Sequence, residues 1–304
     1  MSKPFLRFED GKVTIGSRDL MVKSANLSIA PKLQTERVYG DYDPSIAGAR
    51  TEFVNFLPIA SLAGSLDIEF LINAETFSSG NTNSISRLFE IAEGMSEGPI
   101  NENLVGRYSF NNMYLRSFGF NVSPFNVVRA KASYDIYGSL SKSIPFRSSQ
   151  TSKNFAHGLK SFGEMKASNV LSQSAVQGQF EITNLDYTIL VERKIHHHIR
   201  DNEHTSINTK ADGALPFRVS VESIESEMSI SSNEIIPSLN NRGDYQSSSS
   251  PYGIEDSSIS AYLYSIEGSQ VARFSCKGKI QSQSTSISEG SLSKGSITIR
   301  EIIK

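Results

Sequence analysis

The stretch YLRSFGFNVSPFNVVRAKASYDIYG, residues 114–138, alternates apolar with polar or small side chains on either side of Ser123–Asn126. Alternation with a period of two is typical of β-strands that bury one face and leave the other in water. We therefore predict two strands here, 114–123 and 127–138, and use them as the starting point for the rest of the chain.

The same alternation recurs throughout the sequence. It is found at 21–31, 61–72, 179–191, 217–231, 279–288 and 295–303. Hydrophobic residues make up 38% of the chain and Trp is absent, which favours a β-rich protein with solvated strand faces over a compact enzyme. We expect a mainly β fold.

One segment, NSISRLFEIAEGM at 83–95, predicts a helix instead. Its apolar residues Ile85, Leu88, Phe89 and Ala92 recur at helical spacing. An Asn or Ser before them can cap the start, and a Gly after them can end the helix. We expect one flanking helix at about 83–95.

The two halves of the chain repeat the same strand pattern. Residues 25–34 align with 185–194 at an offset of 160, and 61–68 align with 223–230 at an offset of 162. Residues 114–129 align with 279–294 at an offset of 165, without a gap. Three pairings in the same order, with offsets that differ by a few residues, indicate an internal duplication.

The duplication suggests a division into two tandem β-sandwich or barrel domains. We predict a first β domain at 1–140, a Ser- and Lys-rich linker at 141–158, and a second β domain at 159–304. In the second domain a Ser-rich loop at 238–253 replaces the helix of the first.

Charge and cysteine content exclude several classes of protein. The chain has 30 basic and 32 acidic residues, so bulk basicity does not predict tight nucleic-acid binding. Its only cysteine is Cys276, which rules out an internal disulfide and suggests synthesis in a reducing compartment. We see neither a secretory signal nor a membrane-spanning apolar run, and expect no membrane insertion.

Catalytic motifs are missing from the sequence. There is no phosphate-binding glycine loop, no HExxH, no CxxC pair and no GxSxG elbow. We therefore expect no enzymatic activity and no cofactor.

The stretch KIHHHIRDNEH, residues 194–204, holds four of the five histidines. If it continues the preceding strand, His196, His198 and Arg200 share one face. Two histidines at i and i+2 are weak candidates for zinc ligands, since a zinc site needs more ligands and Arg200 adds positive charge. The alternative is a polar, pH-sensitive stretch at a subunit contact.

A second set of candidates lies in TERVYGDYDPSIAGARTEF, residues 35–53. Tyr and Arg are enriched at protein interfaces, and this segment carries Arg37, Tyr39, Tyr42 and Arg50 among small residues. We predict that it is a protruding arm that contacts neighbouring subunits, with an ordinary exposed loop as the alternative.

The order strand, strand, arm, strand, helix and strand pair resembles that of the tail tube proteins of tailed bacteriophages. Residues 13–40 resemble their opening strand and its lead into the arm, and 114–140 resemble their closing hairpin. The resemblance covers roughly 10–140, and reaches 160–304 only through the internal repeat.

This resemblance implies a virion structural protein whose six-fold rings stack into a hollow tube that conducts DNA at ejection. Its partners would be copies of itself, other tail proteins such as sheath, baseplate or terminator, and DNA passing without sequence-specific binding. The protein would be made in the host cytoplasm and end in the virion tail.

Two alternatives remain open at this stage. Baseplate hub or tube-initiator proteins also contain two tube-like domains, and three such chains make a pseudo-six-fold ring. A two-domain β-sandwich that binds carbohydrate or a cell surface is the alternative from another class, for which Tyr245 and Tyr252 in the Ser-rich loop are candidate platforms.

Overall fold

Strands account for most of the residues that the computed structural model describes. These residues are 13–16, 18–29, 33–39, 52–58, 64–73, 99–137, 140–142, 154–167, 178–179, 182–196, 218–233, 256–288 and 294–302. Among them there are strands, turns and isolated bridges but no helix, so the prediction of a mainly β protein is confirmed. The predicted helix at 83–95 and the Ser-rich loop at 238–253 lie outside this part.

The strands form three antiparallel sheets. In chain order they are Val13–Ile15 (β1), Arg18–Leu20 (β2), Val22–Ile29 (β3), Leu33–Tyr39 (β4), Glu52–Pro58 (β5), Gly64–Leu71 (β6), Asn103–Val105 (β7), Tyr108–Phe110 (β8), Met113–Val122 (β9), Arg129–Ile136 (β10), Ser141–Lys142 (β11), Phe162–Ala167 (β12), Gly178–Gln179 (β13), Ile182–His196 (β14), Arg218–Ser232 (β15), Asp256–Tyr264 (β16), Gln270–Ser286 (β17) and Lys294–Ile302 (β18).

An eleven-stranded sheet dominates the molecule. Its order is β13-β12-β16-β17-β18-β15-β14-β9-β10-β6-β3. The four strands of the first half therefore run β3-β6-β10-β9, and four strands of the second half run β14-β15-β18-β17 in the same sense. The two sets meet where β9 pairs with β14.

The strand registers reproduce the offsets seen in the sequence. Asn121 pairs with Arg129 across β9 and β10, and Ser286 pairs with Lys294 across β17 and β18. Both members of the second pair lie 165 residues after their counterparts. The closing hairpin thus has the same register in both halves.

The other two strand pairs behave in the same way. The corresponding partners are Phe70–Ala130 with Ser232–Gly295, and Ala25–Ile68 with Leu185–Ile230. Taking the hairpin offset as fixed, these partners give offsets of 162 for β6 and β15 and 160 for β3 and β14. Hydrogen-bonded register is independent of residue type, so this agreement is more than the alignment of alternating patterns.

The apolar face of the long sheet closes over a core shared by both halves. Phe118 and Phe120 of β9 contact Phe274 of β17, with ring centroids 5.8 Å and 4.6 Å apart, and Phe274 also lies 5.5 Å from Tyr187 of β14. Since β17 lies four strands from β9 in the sheet order, the sheet must curl back on itself to make these contacts.

Gly278 lies in the middle of β17, where the strand changes partners. Residues before it pair with β16, and residues from Lys279 onward pair with β18. A Cβ at Gly278 would lie 2.0 Å from the carbonyl oxygen of Arg300. The curl of the sheet therefore requires a residue without a side chain at this position.

Segments between the two halves also join them. Ser141–Lys142 forms the edge of a five-stranded sheet, β11-β8-β7-β1-β2. Farther along, Phe155 bridges to Asn73, and Ala156 bridges to Ser265 in the second half. These residues lie within the segment predicted to be a linker. Ser141–Lys142 pairs with the first half, and Ala156 contacts both halves.

Candidate functional site

The face of the long sheet opposite the core is polar across seven or more strands. Strand register places its residues in three rows. The rows are Asn26, Asp67, Ser133, Ser117, Leu190 and Glu225; Ser24, Glu69, Lys131, Gly119, Thr188, Glu227 and Arg300; and Leu71, Arg129, Asn121, Asp186, Ser229, Thr298 and Ser282. We call this surface the polar face.

The polar face is concave where the two halves meet. A depression of about 870 Å³ is bounded by residues of β6, β9, β10 and β14, among them Glu69, Asn121, Lys131, Asp186 and Thr188. Both halves contribute to it, so its shape depends on the pairing of β9 with β14.

The polar face carries charges of both signs. Its three rows hold five acidic and three basic side chains. Arg116, which bulges out of β9, lies 3.5 Å from both Asp67 and Asp135. Burial raises the pKa of Asp135, and the Arg116 guanidinium opposes that rise.

Two more ion pairs follow the same pattern. Arg129 lies 3.7 Å from Glu69, and Arg300 pairs with Glu225. These side chains are partly exposed, so each pair adds little to stability. They neutralise Arg129 and Arg300, which reduces the positive charge that this part of the face offers to a phosphate backbone.

The junction between the halves has its own polar contacts. Asn121 of β9 donates to Asp186 of β14 at 2.6 Å and to Asn184 at 2.7 Å, and Asn184 also donates to Asp186. A Cβ at Gly119 would lie 2.9 Å from the Tyr187 carbonyl oxygen and 3.1 Å from Thr188 Cγ2. The backbones of the two strands thus approach closely at a glycine.

The predicted arm is a two-stranded ribbon. β4 pairs with β5 from Leu33–Pro58 to Tyr39–Glu52, in a sheet of its own. Arg37 and Tyr39 lie on β4, opposite Val54 and Glu52. Tyr42 and Arg50 lie outside the described residues, as does the tip that joins the strands.

His196 lies at the end of β14, where its Nε2 atom is 2.8 Å from Ser220 Oγ on β15. The other candidates of the histidine run, His198 and Arg200, are outside the described part. Within that part, no group of three or more His, Cys, Asp or Glu residues is placed to hold a metal ion.

A small satellite core surrounds this end of β14. Ile195 packs on Tyr114, Tyr137 and Val219, apart from the main core. Arg193 lies over the Tyr114 ring, 5.5 Å from its centroid, and donates to the Leu115 carbonyl oxygen. Burial lowers the pKa of Arg193, while Asp135 opposes that shift. Arg193 thus joins β14 of the second half to β9 of the first.

The hairpin tip exposes an aromatic ring in a strained backbone. Phe125 has φ of 64° and is 79% exposed. A left-handed conformation costs a non-glycine residue roughly 1–2 kcal/mol, and Gly290 occupies the corresponding position at the offset of 165. An exposed, strained aromatic residue at a tip is a candidate contact site.

Cys276 is buried in the core. Its sulfur contacts Ser226, and burial raises the pKa of the thiol to about 11. A buried thiol with a raised pKa is a poor nucleophile. Tyr245 and Tyr252, the platforms of the carbohydrate-binding alternative, lie outside the described residues.

Sequence reasoning did not find the polar face or the residues of the junction. The alternating pattern marked which residues point away from the core, but not which strands lie side by side. The three offsets indicated that corresponding strands of the two halves are equivalent, but not which strands join the halves. Nothing in the sequence paired Asn121 with Asp186.

No helix in the described part has the length and apolar character needed to cross a membrane. In comparisons with known proteins, no family model matches the chain and no curated protein matches its sequence.

Proposed function

We propose that the chain is a structural protein of the tail tube class of tailed bacteriophages, which assembles with copies of itself into a ring around a conduit for DNA. One observation carries the proposal: two four-stranded units with the same order and register lie edge to edge in one sheet. Each unit continues the sheet of the one before it, which is how a wall of repeating subunits is built.

The chemistry of the polar face supports the proposal. DNA that must slide through a channel would be slowed by every phosphate that a fixed cation neutralises. Ion pairs neutralise two of the cations in the first half, Arg116 by Asp67 and Arg129 by Glu69. Between them lie neutral side chains including Ser117, which could contact water and DNA without retaining it.

Side-by-side placement of the units favours a second candidate within this class, the baseplate hub or tube initiator. If six two-unit chains formed a double-layered ring, the two units of one chain would stack along the tube axis. Pairing of β9 with β14 instead places both units in one sheet. Three chains would then supply six units to a single ring.

Electron microscopy of the purified protein, together with native mass spectrometry, tests both candidates. We expect closed rings at high protein concentration, with three chains per ring for the hub and six for the tube component. Extended stacks of rings would favour the tube component over the hub. Monomers alone, even when the protein is concentrated, would contradict the proposal.

A further inference from the structure

Two edges of the long sheet resemble the edges that already pair inside the chain. Within the described residues, β3 pairs only with β6, and Ile280–Ser286 of β17 pair only with β18. At the offsets of 160 and 165, β3 corresponds to β14 and this part of β17 corresponds to β9. We call the pairing of β9 with β14 the internal joint. Each outer edge corresponds to one strand of that joint, so the two outer edges could form an equivalent external joint.

We propose that Ile280–Ser286 and Ile287 of one chain pair antiparallel with β3 of a second copy. The inference names the contact through which the proposed ring would close, and in that respect it rests on the proposed function.

The internal joint fixes the register of the external one. In the chain, Val122 pairs with Leu185, Asn121 with Asp186 and Gly119 with Thr188. Moving each partner by its offset predicts the pairs between copies, which are Ile287 with Ala25, Ser286 with Asn26, Thr285 with Leu27, and Ser284 with Ser28.

Charge on the outer edges is consistent with pairing. Monomeric proteins protect free edges with charges, prolines and bulges. Neither Ala25–Ile29 nor Ile280–Ser286 contains a charged residue or a proline. The irregularity of β17 between Ile280 and Ser282 lies outside the four predicted pairs. The uncharged, extended edges at those pairs are suited to a partner strand.

Exposure of Ile287 is a second, independent observation. Ile287 is 75% exposed, whereas its counterpart Val122 is 8% exposed in the main core, where its strand partner is Leu185 of β14. A second copy paired in the predicted register would bring Ala25 opposite Ile287. Part of the exposed apolar side chain of Ile287 would then be covered by the partner strand.

Side-chain volume at the centre of the joint can also be compared. Gly119 faces Thr188 in the internal joint. The counterparts are Ser284 and Ser28, so two Ser residues take the place of a Gly and a Thr. The combined volume at this position is therefore similar in both joints.

Cysteine cross-linking tests the register directly. Directly opposite residues of an antiparallel pair have Cα atoms about 4.5–5.5 Å apart, within reach of a disulfide. Two double variants, Ala25→Cys with Ile287→Cys and Asn26→Cys with Ser286→Cys, sample the two kinds of opposite pair. Under mild oxidation both should give a ladder of covalent oligomers on a non-reducing gel, ending at the number of chains in the ring.

Two controls fix the interpretation. Asn26→Cys with Ser282→Cys moves one partner four residues, or roughly 13 Å along the strand, and should not cross-link. A mixture of the two single variants Asn26→Cys and Ser286→Cys should stop at covalent dimers, because each chain then carries one reactive edge.

The outcomes separate this inference from the proposed function. Rings that are visible by microscopy but cross-link out of register, or not at all, would overturn the inference and leave the ring proposal standing. Covalent chains in the predicted register that form open filaments would support the inference and contradict the ring. Monomers without cross-links would overturn both.

Discussion

Replacing Phe274 by Ala should destabilise both halves of the molecule together. Phe274 is fully buried and contacts Phe118 and Phe120 of the first half and Tyr187 of the second. Truncation of a buried Phe to Ala costs about 3–5 kcal/mol. Because its ring contacts aromatic partners in both halves, we expect a value near the upper end, about 4–5 kcal/mol.

Chemical denaturation followed by circular dichroism measures the loss. The midpoint should move to lower denaturant in a single transition, and the melting temperature should fall by roughly 6–8 °C. Phe125→Ala is the matched control, since it removes the same atoms from a side chain that is 79% exposed. Its effect should stay within about 0.5 kcal/mol.

Hydrogen exchange then distinguishes a shared core from two separate ones. Amides of β10 and of β18 should lose protection by the same factor in Phe274→Ala, because the core residues of both strands belong to one cluster. If β18 loses protection while β10 keeps the parent values, the halves unfold independently, and the argument from the shared aromatic cluster is refuted.

Three further predictions concern single sites. Gly278→Ala should lower the free energy of unfolding by at least about 2 kcal/mol, because its Cβ would lie 2.0 Å from the Arg300 carbonyl oxygen. The control is Lys277→Ala, at the exposed residue next to it. A melting curve of Gly278→Ala that matches the control would contradict this prediction. Cys276, whose pKa burial raises to about 11, should resist iodoacetamide at pH 8 until the chain is unfolded, and mass spectrometry would detect early alkylation. Burial, and to a smaller extent Asp135, raises the pKa of Tyr137 to about 12. The neutral side chain therefore stabilises the folded state below about pH 10, and this contribution should be lost between about pH 10 and 12. Base denaturation curves of Tyr137→Phe should lack this part of the loss.

Much of the strand pattern could be predicted because burial alternates along most of the strands of the long sheet. In β10, Ala130, Ala132, Tyr134 and Ile136 are buried and the residues between them are not. Each of the eight stretches selected by their alternation overlaps a strand of the long sheet. Period-two patterns of this kind specify a strand and its buried face without reference to any partner.

β12, β16 and the first part of β17 were not predicted. Their core positions include Ala261, Ala272 and Cys276, small side chains that give little contrast with the serines around them. The return of the sheet over its own apolar face depends on these strands. Because these strands use small side chains at core positions, the sequence predicts the other strands of the sheet but not how the sheet folds back over its apolar face.

The candidate site could be predicted only in part, because strand neighbours are a property of tertiary structure. Offsets found in the sequence agreed with the registers within each half, yet the junction of β9 with β14 joins residues more than sixty positions apart. Arg37 and Tyr39 of the predicted arm were placed in a ribbon. The roles of Tyr42, Arg50, His198 and Arg200 remain predictions.

The internal joint is more apolar than the proposed external joint. The difference is consistent with the order of events, because the internal joint forms within one chain and the external joint would form between chains. In the internal joint the chain holds β9 close to β14, so strongly apolar residues such as Phe120 and Tyr187 can be used without risk. Their counterparts on the outer edges are Thr285 and Leu27. In the proposed assembly those edges would meet other chains in solution before the ring forms. An outer edge as apolar as the inner one would pair out of register and aggregate. Thr and Leu in place of the aromatic residues would weaken each external joint and let incorrect pairs dissociate. In the proposed ring, closure would then stabilise the assembly, because every edge would have its partner.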